Sequence, residues 1–459
     1  MLALSEAAQA CGGVLTGSDV TFTSVGTDTR ADLSGGLYVA LRGERFDGNA
    51  FLAEAKKAGA IAGLVDRRGV YNIPPDFPLI GVEDTRLALG TLAAYWRNRF
   101  RIPVIGVTGS NGKTSVKEMC AAILSAWAQS RGLAPQAAVL ATQGNLNNDI
   151  GLPLMMLRMR ESHIAAVLEM GMNHPGEIAY LTGLARPTVA LVNNAQRAHL
   201  EGMGEVMGVA REKGQIYSSL GTDGVAVVNA DDPHADYWRS LNDGRQIVSF
   251  GLGAQADVSA SHSMMAFGNK VHMTALGEVR DFVLNVPGIH NVRNAMAAAA
   301  ATLAAGIPLD VVVSGLAQYS GTKGRLEVKR TAEGAVVLDD TYNANPDSVR
   351  AGIDVLAATP GRKLLVLGDM GEIGDTSAQC HDEIGGYAKS QGVDRLLALG
   401  EYSAVAVRNF GAGGEHFETV EDLVAALRPM LGDDVVVLVK GSRFMKMERV
   451  VQLIAPATK

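Results

Sequence analysis

A glycine-rich loop between an aliphatic run and a helical segment constrains this chain more than any other feature. The run Val104 to Val107 leads into Gly106-Val107-Thr108-Gly109-Ser110-Asn111-Gly112-Lys113-Thr114, and Ser115-Val116-Lys117-Glu118-Met119 continues with helical character. Such a turn aims backbone N–H groups and the positive end of the helix at one point, which suits a phosphate group. Lys113 would then contact the terminal phosphates, and the Thr114 hydroxyl would reach Mg²⁺. We therefore predict an ATP-binding loop.

This loop departs from the usual G-x-x-x-x-G-K-[ST] pattern at one position, because Val107 stands where the first glycine is expected. The alternative is a glycine-rich turn with a purely structural role. The Gly-Lys-Thr ending, the strand before it and the helix after it together favour nucleotide binding over that alternative.

Short aliphatic runs, each followed by a helical segment, continue along the rest of the chain. They are Val104 to Val107, Ile164 to Leu168, Val189 to Val192, Val225 to Val228, Ala335 to Leu338, Leu364 to Leu367, Leu396 to Leu399 and Val435 to Val439. This alternation predicts an α/β protein with parallel sheets covered by helices on both faces.

Length and turn-forming segments divide the chain further. At about 150 residues per domain, 459 residues suggest three domains. Three prolines between Asn72 and Pro78, and the Gly-rich basic segment 320–325, mark the boundaries. We predict a smaller N-terminal α/β domain (1–85), a central parallel-sheet ATPase domain (86–318) and a C-terminal Rossmann-like α/β domain (319–459).

Composition excludes several classes of protein. The 41 Lys and Arg against 48 Asp and Glu leave a net charge of -7, and no basic run offers a sequence-independent grip on nucleic acid. Cys11, Cys120 and Cys380 stand too far apart to suggest disulfides or a thiolate metal site. The start lacks the basic region of a signal peptide, and the longest apolar stretch, Ala295 to Gly306, is too short to cross a bilayer. We expect a cytoplasmic protein with no nucleic acid partner and no membrane insertion.

Three polar residues of the middle third are candidates for the same site. Glu169 directly follows the run Ile164 to Leu168, and it would lie beside the glycine-rich loop if this strand and the strand before the loop are neighbours. A solvated carboxylate or a helix-capping one is an equal alternative. His199 follows another strand end, although taken alone it favours a structural histidine. Lys213 has the pattern of a helix-surface lysine, and spacing alone does not single it out.

A helix start after Gly288 offers polar side chains of two possible uses. His290, Asn291 and Asn294 precede an Ala-rich helical stretch from 295 to 305. Their side chains either pair with an adenine edge or cap the helix, and the pattern favours the cap.

The last third offers further candidates, each with a plain alternative. Asp340 follows a strand and could hold ribose hydroxyls, or it could belong to an Asx-rich turn. Arg325 and Lys323 lie on a presumed hinge, where they either reach the γ-phosphate or form a solvated linker. Lys440-Gly441-Ser442-Arg443 suits a carboxylate or phosphate ligand, although a basic surface turn fits equally well.

The combination of these motifs resembles the Mur ligase family, three-domain ATP-dependent enzymes that form amide bonds in peptidoglycan assembly. The resemblance covers the whole chain. The segments that carry it are Thr108 to Glu118, Thr142-Gln143-Gly144-Asn145-Leu146-Asn147-Asn148-Asp149-Ile150-Gly151-Leu152-Pro153, Glu169-Met170-Gly171-Met172, Asp340-Thr341-Tyr342-Asn343-Ala344-Asn345-Pro346 and Gly368-Asp369-Met370.

The resemblance, rather than the spacing, implies the roles of individual residues. It implies a catalytic set of Lys113, Glu169, His199, Lys213 and Arg325, and magnesium ligands Thr114, Glu169, His199 and a carbamate formed on Lys213. Gln215 departs from the family pattern, in which Glu follows the lysine. The implied ATP contacts are Thr108, Gly109, Ser110, Asn111, Gly112, Lys113, Thr114, Ser115, His290, Asn291, Asn294, Arg325 and Asp340.

The resemblance also implies the substrates. D-alanyl-D-alanine would be joined to UDP-N-acetylmuramoyl-tripeptide with ATP and Mg²⁺ by a monomer. The uridine nucleotide would bind the first domain, the muramoyl peptide the asparagine-rich segment, and the dipeptide the third domain. The implied substrate contacts are Thr29, Arg30, Arg45, Phe46, Asp47, Thr142, Asn145, Asn147, Tyr342, Asn343, Asn345, Lys440, Ser442 and Arg443.

Two other readings share part of this pattern. A sister ligase that adds the third residue of the same peptide, or a folate polyglutamate synthase, would use the same ATP machinery. A phosphate-loop kinase or a nucleotide-dependent binding module would form no amide bond. The two further α/β units and the Asp340 turn favour the ligase, and three bound substrates suggest domain closure about segment 318–325.

Overall fold

The computed structural model describes residues 1–44, 46–69, 72–253 and 255–456. Its N-terminal sheet has the strand order β2-β7-β6-β5-β4, in which only β2 is antiparallel to its neighbour, and β1 pairs separately with β3. The elements are β1 (Leu2–Ala3), α1 (Leu4–Cys11), β2 (Val14–Thr16), β3 (Thr21–Phe22), β4 (Ser24–Gly26), β5 (Gly36–Val39), α2 (Leu52–Lys57), β6 (Ala62–Asp66) and β7 (Leu79–Val82).

The next unit carries the glycine-rich loop. Its elements are α3 (Thr85–Arg97), β8 (Val104–Thr108), α4 (Lys113–Ser130), α5 (Pro135–Ala138), β9 (Val139–Ala141), α6 (Gly151–Met156), β10 (Ala165–Glu169), α7 (Glu177–Ala185), β11 (Val189–Val192), α8 (Leu200–Met203), α9 (Val206–Gly214), β12 (Val225–Asn229), α10 (Ala235–Ser240), β13 (Gln246–Gly251), β14 (Val258–Met265), β15 (Gly268–Ala275), β16 (Glu278–Leu284), α11 (Ile289–Ala304) and α12 (Leu309–Gln318).

These strands form one sheet of nine in the order β16-β15-β14-β13-β12-β11-β8-β10-β9. Seven strands, from β14 to β9, are parallel, and β15 and β16 continue the sheet as an antiparallel ribbon. Side chains of β8, β10 and β11 alternate between two hydrophobic clusters, one on each face. The helices α4, α11 and α12 cover the second of these faces. Strand β8, which leads into the loop, is therefore central and buried on both sides.

A third sheet follows, in the order β17-β18-β22-β19-β20-β21, with only β17 antiparallel. Helices cover both of its faces, and each face has its own apolar cluster. The elements are β17 (Glu327–Arg330), β18 (Val336–Asp340), α13 (Pro346–Ala358), β19 (Arg362–Gly368), α14 (Ser377–Ser390), β20 (Arg395–Leu399), α15 (Ser403–Phe410), β21 (Gly414–Phe417), α16 (Val420–Leu427), β22 (Val435–Lys440) and α17 (Glu448–Ile454).

The α/β class and the eight aliphatic strands expected from the sequence are confirmed, each within two residues at its ends. The ribbon of β14, β15 and β16 was not predicted. Its residues alternate between buried and exposed, as in β15, because one face of the ribbon meets solvent, and long apolar runs are therefore absent. Within the described ranges, no helix combines the length and the apolar character needed to cross a membrane.

Gly315 of α12 lets that helix approach the loop helix α4 closely. A Cβ atom at this position would lie 2.4 Å from the Ile123 Cα atom, which belongs to the backbone of α4. We predict that Gly315→Ala lowers the free energy of unfolding by about 1–3 kcal/mol, because the two helices must separate. Urea denaturation followed by circular dichroism measures the change.

Gly183 of α7 provides the matched control, since a Cβ there would have its nearest neighbour 3.9 Å away, at the Ser219 Oγ atom. Gly183→Ala should leave stability unchanged or raise it by up to about 1 kcal/mol, because alanine is the better helix former. Equal stability of the two variants would contradict the close packing of α12 on α4.

Candidate active site

The loop after β8 adopts the conformation that its glycines allow. Gly109 has φ 155° and Gly112 has φ 77°, and Gly112 directly precedes α4. A Cβ atom on Gly112 would lie 2.3 Å from the Asn294 Oδ1 atom, so a larger residue fits neither the backbone angle nor the space. The Lys113 ammonium group donates a hydrogen bond to the Gly109 carbonyl at 2.7 Å. The loop and its lysine thus form a closed ring at the start of α4.

Amide side chains from the end of β11 hold this loop in place. The Asn111 N–H donates to the Asn194 Oδ1 atom at 2.9 Å, and the Asn193 Nδ2 atom donates to the Asn111 carbonyl at 2.9 Å. The Ser110 hydroxyl accepts from the Gln196 N–H at 2.9 Å. No sequence pattern predicted a role for these asparagines. The adjacency of β11 and β8, which only the sheet order reveals, is the missing signal.

A cavity of about 780 Å³ opens between the loop and the third sheet. It brings together residues that are far apart in sequence. Of the sequence-predicted candidates, the cavity lining contains Ser110, Asn111, Gly112, Lys113, Thr114, Asn147, Glu169, His199, Arg325, Tyr342, Asn343, Asn345 and Arg443.

Glu169 lies at the end of β10 on the strand next to the loop strand, and its register partner is Val107. The side chain is buried, and its Oε1 atom accepts a hydrogen bond from the Asn147 Nδ2 atom at 2.8 Å. Its Oε2 atom is buried without a hydrogen-bond partner. A buried carboxylate oxygen without a hydrogen-bond partner is costly, so this atom is suited to bind a cation or a hydrogen-bond donor.

His199 connects the loop side of the cavity with the third sheet. Its Nδ1 atom lies 2.8 Å from the Glu372 Oε2 atom. Both residues have positive φ angles, 57° and 61°, which bulky residues rarely adopt. The hydrogen bond from His199 keeps the pKa of Glu372 below its usual value, while burial lowers the pKa of His199. Glu372 was not predicted as a site residue, since a single Glu after Gly371 carries no distinctive pattern.

Lys213 is buried on α9, in contrast to the surface position that its spacing suggested. Burial, and then the nearby charge of Lys113, lower the pKa of Lys213 well below its usual value. The amine is therefore held closer to its neutral, nucleophilic form than an exposed lysine. Lys213 does not line the cavity.

The third sheet contributes its part of the site from the other side of the cavity. The Arg325 guanidinium lies 4.1 Å over the ring of Tyr342, and its Nε atom is buried without a partner. The Asn345 side chain exchanges two hydrogen bonds with Asn111, of 2.8 and 3.3 Å. The loop is thus tied directly to the start of α13.

A salt bridge reinforces the contact between the two units. The Arg197 guanidinium donates to the Asp347 carboxylate at 2.9 Å and to Glu383 at 2.9 Å. The Arg197 backbone N–H also donates to Asp347 at 2.9 Å. These partners raise the pKa of Arg197, so the side chain is charged at every accessible pH.

A second cavity of about 660 Å³ continues from the loop between α11 and α13. It shares Asn111, Gly112 and Arg325 with the first cavity. The sequence-predicted candidates in its lining are also Ser115, His290, Asn291, Asn294, Asp340 and Lys440.

The favoured reading of the asparagines as helix caps is wrong. Helix α11 begins at Ile289 after Gly288, which has no side-chain cap. The Asn291 Nδ2 atom donates to the Pro287 carbonyl at 2.8 Å, and the Asn294 Oδ1 atom accepts from Asn193 at 2.9 Å. Asn294 therefore holds α11 against the end of β11 beside the loop, where Gly112 leaves room for its side chain.

Several of the sequence-predicted site residues form hydrogen bonds within the protein. The buried Lys440 ammonium group donates to Asp340 at 2.6 Å, and the Ser442 hydroxyl donates to the Ala344 carbonyl at 3.0 Å. The Thr108 hydroxyl donates to the Met170 carbonyl, and the Thr142 hydroxyl accepts from the Glu169 N–H, both at 2.9 Å. Their hydrogen bonds hold the backbone around the site in place. Ser442, Thr108 and Thr142 do not line either cavity.

The candidates of the first unit lie apart from both cavities. Arg30 is exposed and pairs with Asp28 at 2.7 Å, Thr29 is half-buried and Phe46 is exposed. Asp47 accepts from the Asn49 N–H at 3.0 Å. Asn145, on the asparagine-rich segment, is also exposed outside them. Arg45 falls outside the described residues.

The oxygen ligands around Glu169 suit Mg²⁺ only if phosphate groups supply further ligands. Among the described residues, no three His, Cys, Asp or Glu side chains converge to hold a metal ion on their own. Mg²⁺ commonly uses one or two carboxylates, with nucleotide phosphates and waters completing its shell. The free Glu169 oxygen and the Thr114 hydroxyl, both facing the cavity, meet this requirement.

Fold and site together define a phosphate-loop nucleotide-binding unit joined to a second α/β unit across a shared cavity. Two family models match the chain, "Mur ligase middle domain" over residues 107–302 and "Mur ligase, glutamate ligase domain" over residues 324–443. An Escherichia coli K12 relative, UDP-N-acetylmuramoyl-tripeptide--D-alanyl-D-alanine ligase, is 43% identical over 98% of this chain and 97% of its own length. The chain belongs to the Mur ligase family.

Solved structures agree with this assignment. MurF from Acinetobacter baumannii superimposes with a TM-score of 0.88 at 36% identity and covers 97% of both chains. MurF ligase from Thermotoga maritima in complex with ADP gives a TM-score of 0.81 at 27% identity, over 94% of this chain and 96% of the other.

The environment of His290 leads to a pH prediction. Burial in the second cavity lowers the pKa of His290 to about 4. An unfolded histidine has a pKa of about 6.5, so the unfolded chain takes up this proton first as the pH falls, and the folded state loses stability between those two values. We predict that the imidazole stays neutral from pH 8 down to about 5.

Nitrogen chemical shifts of selectively labelled histidine measure this protonation state, and His290→Gln identifies the signal by its loss. The same variant should flatten the fall of stability on acidification. A His290 signal that titrates near pH 6.5 would contradict the buried, neutral imidazole.

Proposed function

We propose that this protein joins D-alanyl-D-alanine to UDP-N-acetylmuramoyl-tripeptide with the conversion of ATP to ADP and phosphate. One observation carries the proposal. One cavity is lined by Lys113 of the phosphate loop, by Glu169, one of whose carboxylate oxygens has no hydrogen-bond partner, and by Arg325, which precedes β17 of the third sheet. Relatives that carry this activity in their names align with 84–98% of the chain at 32–43% identity.

We propose that the substrates divide among three domains, 1–85, 86–318 and 319–459. The first would hold the uridine nucleotide, the second ATP, and the third the dipeptide. Three separate sheets, within residues 14–82, 104–284 and 327–440, support this division. The asparagine-rich segment reaches the cavity through Asn147, which supports its assignment to the muramoyl peptide. We further propose a monomer that acts in the cytoplasm, where the precursor nucleotide and ATP are found.

Activation of a carboxylate is the chemical problem, because its own leaving group would be oxide. The terminal carboxylate of the tripeptide attacks the γ-phosphorus of ATP, which forms an acyl phosphate and releases ADP. The amine of D-alanyl-D-alanine then attacks the acyl carbon, and phosphate leaves as the amide forms and the amine loses its proton. Lys113 and Arg325 approach from opposite sides of the cavity, and their cations offset the charge on the transferred group.

Magnesium would be held by Glu169 and Thr114 with the ATP phosphates, and when bound it neutralises phosphate charge. His199 and Lys213 are the further ligands that we propose. Lys213 as a cation would repel the metal, whereas its buried amine, with a lowered pKa, suits addition to CO₂ to give an anionic carbamate and a proton. The same burial explains why an ordinary ammonium group is disfavoured there.

The remaining candidates are sister ligases and plain nucleotide hydrolases. Release of phosphate with ATP, Mg²⁺, UDP-N-acetylmuramoyl-tripeptide and D-alanyl-D-alanine, each omitted in turn, distinguishes them when mass spectrometry identifies the product. We expect release only with all four components and formation of the pentapeptide. Release with single amino acids instead would indicate a sister ligase, and release without any amine would indicate a hydrolase.

Removal of the Lys213 amine tests its role. Lys213→Met keeps the length of the side chain but cannot form a carbamate, so we expect kcat/KM to fall about 10- to 100-fold. Protein stability should hold or rise, because an apolar side chain replaces a buried amine.

Lys389→Met, which removes a lysine that lies over Phe410 in the third unit, serves as the control and should keep full activity. Full activity of Lys213→Met would exclude the carbamate. Coupled loss of stability and activity would instead indicate a structural role.

A further inference from the structure

The hairpin of β14 and β15 projects from the nine-stranded sheet to the nucleotide side of the site. Met265 pairs with Gly268 at its tip, so residues 266 and 267 form the turn. Met264, beside the turn, lines the second cavity together with His290 of α11 and Val355 of α13. This ribbon has no part in the mechanism described above, and its sequence carries no nucleotide-binding pattern.

Met264 lies where the base of a bound nucleotide would lie. The second cavity begins at the phosphate loop, where it shares Gly112 and Arg325 with the first cavity. Met264, His290 and Val355 line only the second cavity, away from the loop. A triphosphate held at Gly112 therefore directs the other end of the nucleotide, the purine, toward these three residues.

The chemistry of Met264 suits a purine. Its side chain is 49% exposed, which is high for a large apolar residue that faces a cavity. A thioether is polarisable and packs well against the face or edge of an aromatic ring. The neutral imidazole of His290 adds no charge to this end of the cavity. Met264 thus offers a flat heterocycle an apolar, polarisable contact in a cavity that Arg293, Arg350 and Asp354 also line.

Phe267 anchors the tip on the other unit. It packs against the apolar cluster of the third sheet, which includes Val349 and Ile353 of α13. The hairpin thus spans from the central sheet to the helix that forms the opposite wall of the second cavity. That contact ties the tip to the third sheet.

We propose that the hairpin tip completes the nucleotide site, with Met264 in contact with the purine base and Phe267 anchoring the tip to the third sheet. This inference rests on the proposed use of ATP. Met264 acts on the base and not on the phosphates, and Phe267 is a positioning residue that acts through Met264.

Met265 is the matched control. It follows Met264 on the same strand, it is 42% exposed, and it is absent from the cavity lining. Successive side chains of a strand point to opposite faces, so Met265 faces away from the base. Met264→Ala and Met265→Ala therefore remove the same side chain from opposite sides of one hairpin.

Calorimetric titration of the full-length protein with ADP and with tripolyphosphate, both in Mg²⁺, tests the proposal. Tripolyphosphate occupies the loop but has no base. We expect Met264→Ala to weaken ADP binding about tenfold and to leave tripolyphosphate binding unchanged. Phe267→Ala should have the same selective effect, and Met265→Ala should bind both ligands like the unmodified protein.

Each other outcome has one meaning. Unchanged ADP binding by Met264→Ala would overturn the inference while leaving the proposed function intact. Equal weakening of ADP and tripolyphosphate would also overturn it, because the variant would then have disturbed the loop. Unchanged ADP binding by Phe267→Ala alone would overturn the anchoring role. Failure of the unmodified protein to bind ADP would refute the proposed function itself.

Discussion

The amide network around Asn111 is the interaction on which the site depends. Its backbone is held by Asn193 and Asn194 from β11, and its side chain is held by Asn345 at the start of α13. A phosphate loop binds through backbone N–H groups, and these are useful only if the loop is already in position when the ligand arrives. Because one residue serves both contacts, the position of the loop and the approach of the third sheet are linked in the same few hydrogen bonds.

Charge explains why the cavity between the two sheets is prepared for an anion. Lys213 is buried and Lys113 is half-buried, and desolvation lowers the pKa of each. Glu169 is the carboxylate within electrostatic reach of Lys113 from its own sheet, and one of its oxygens has no partner. A triphosphate with its metal ion would satisfy the lysine and the free oxygen at once. The cost of burying these groups is therefore offset only when the substrate is bound.

Local sequence predicted the strands, the loop and the strand-end Glu169, because each depends on a short pattern of apolar and glycine residues. It did not predict Glu372 or Arg197, whose partners come from the other unit, nor the asparagine network, which requires the order of strands in the sheet. It also mistook Asn291 and Asn294 for caps, because a cap and a contact between two elements use the same residue type. The burial of Lys213 was not predicted for a similar reason. The sequence around a single helical lysine does not indicate whether another part of the fold covers it.

The unpredicted ribbon of β14 to β16 shows why the nucleotide site belongs to two units rather than one. A phosphate loop and α11 form one wall of the second cavity, and α13 forms the opposite wall, so the distance between the walls depends on how the units meet. Arg197 and Asn345 fix the contact between the units at the end near the phosphate loop. His199 and Glu372 join the units beside the first cavity. Phe267 adds a contact at the hairpin tip, beside the second cavity where a purine would lie, so the width of that cavity depends on this contact as well.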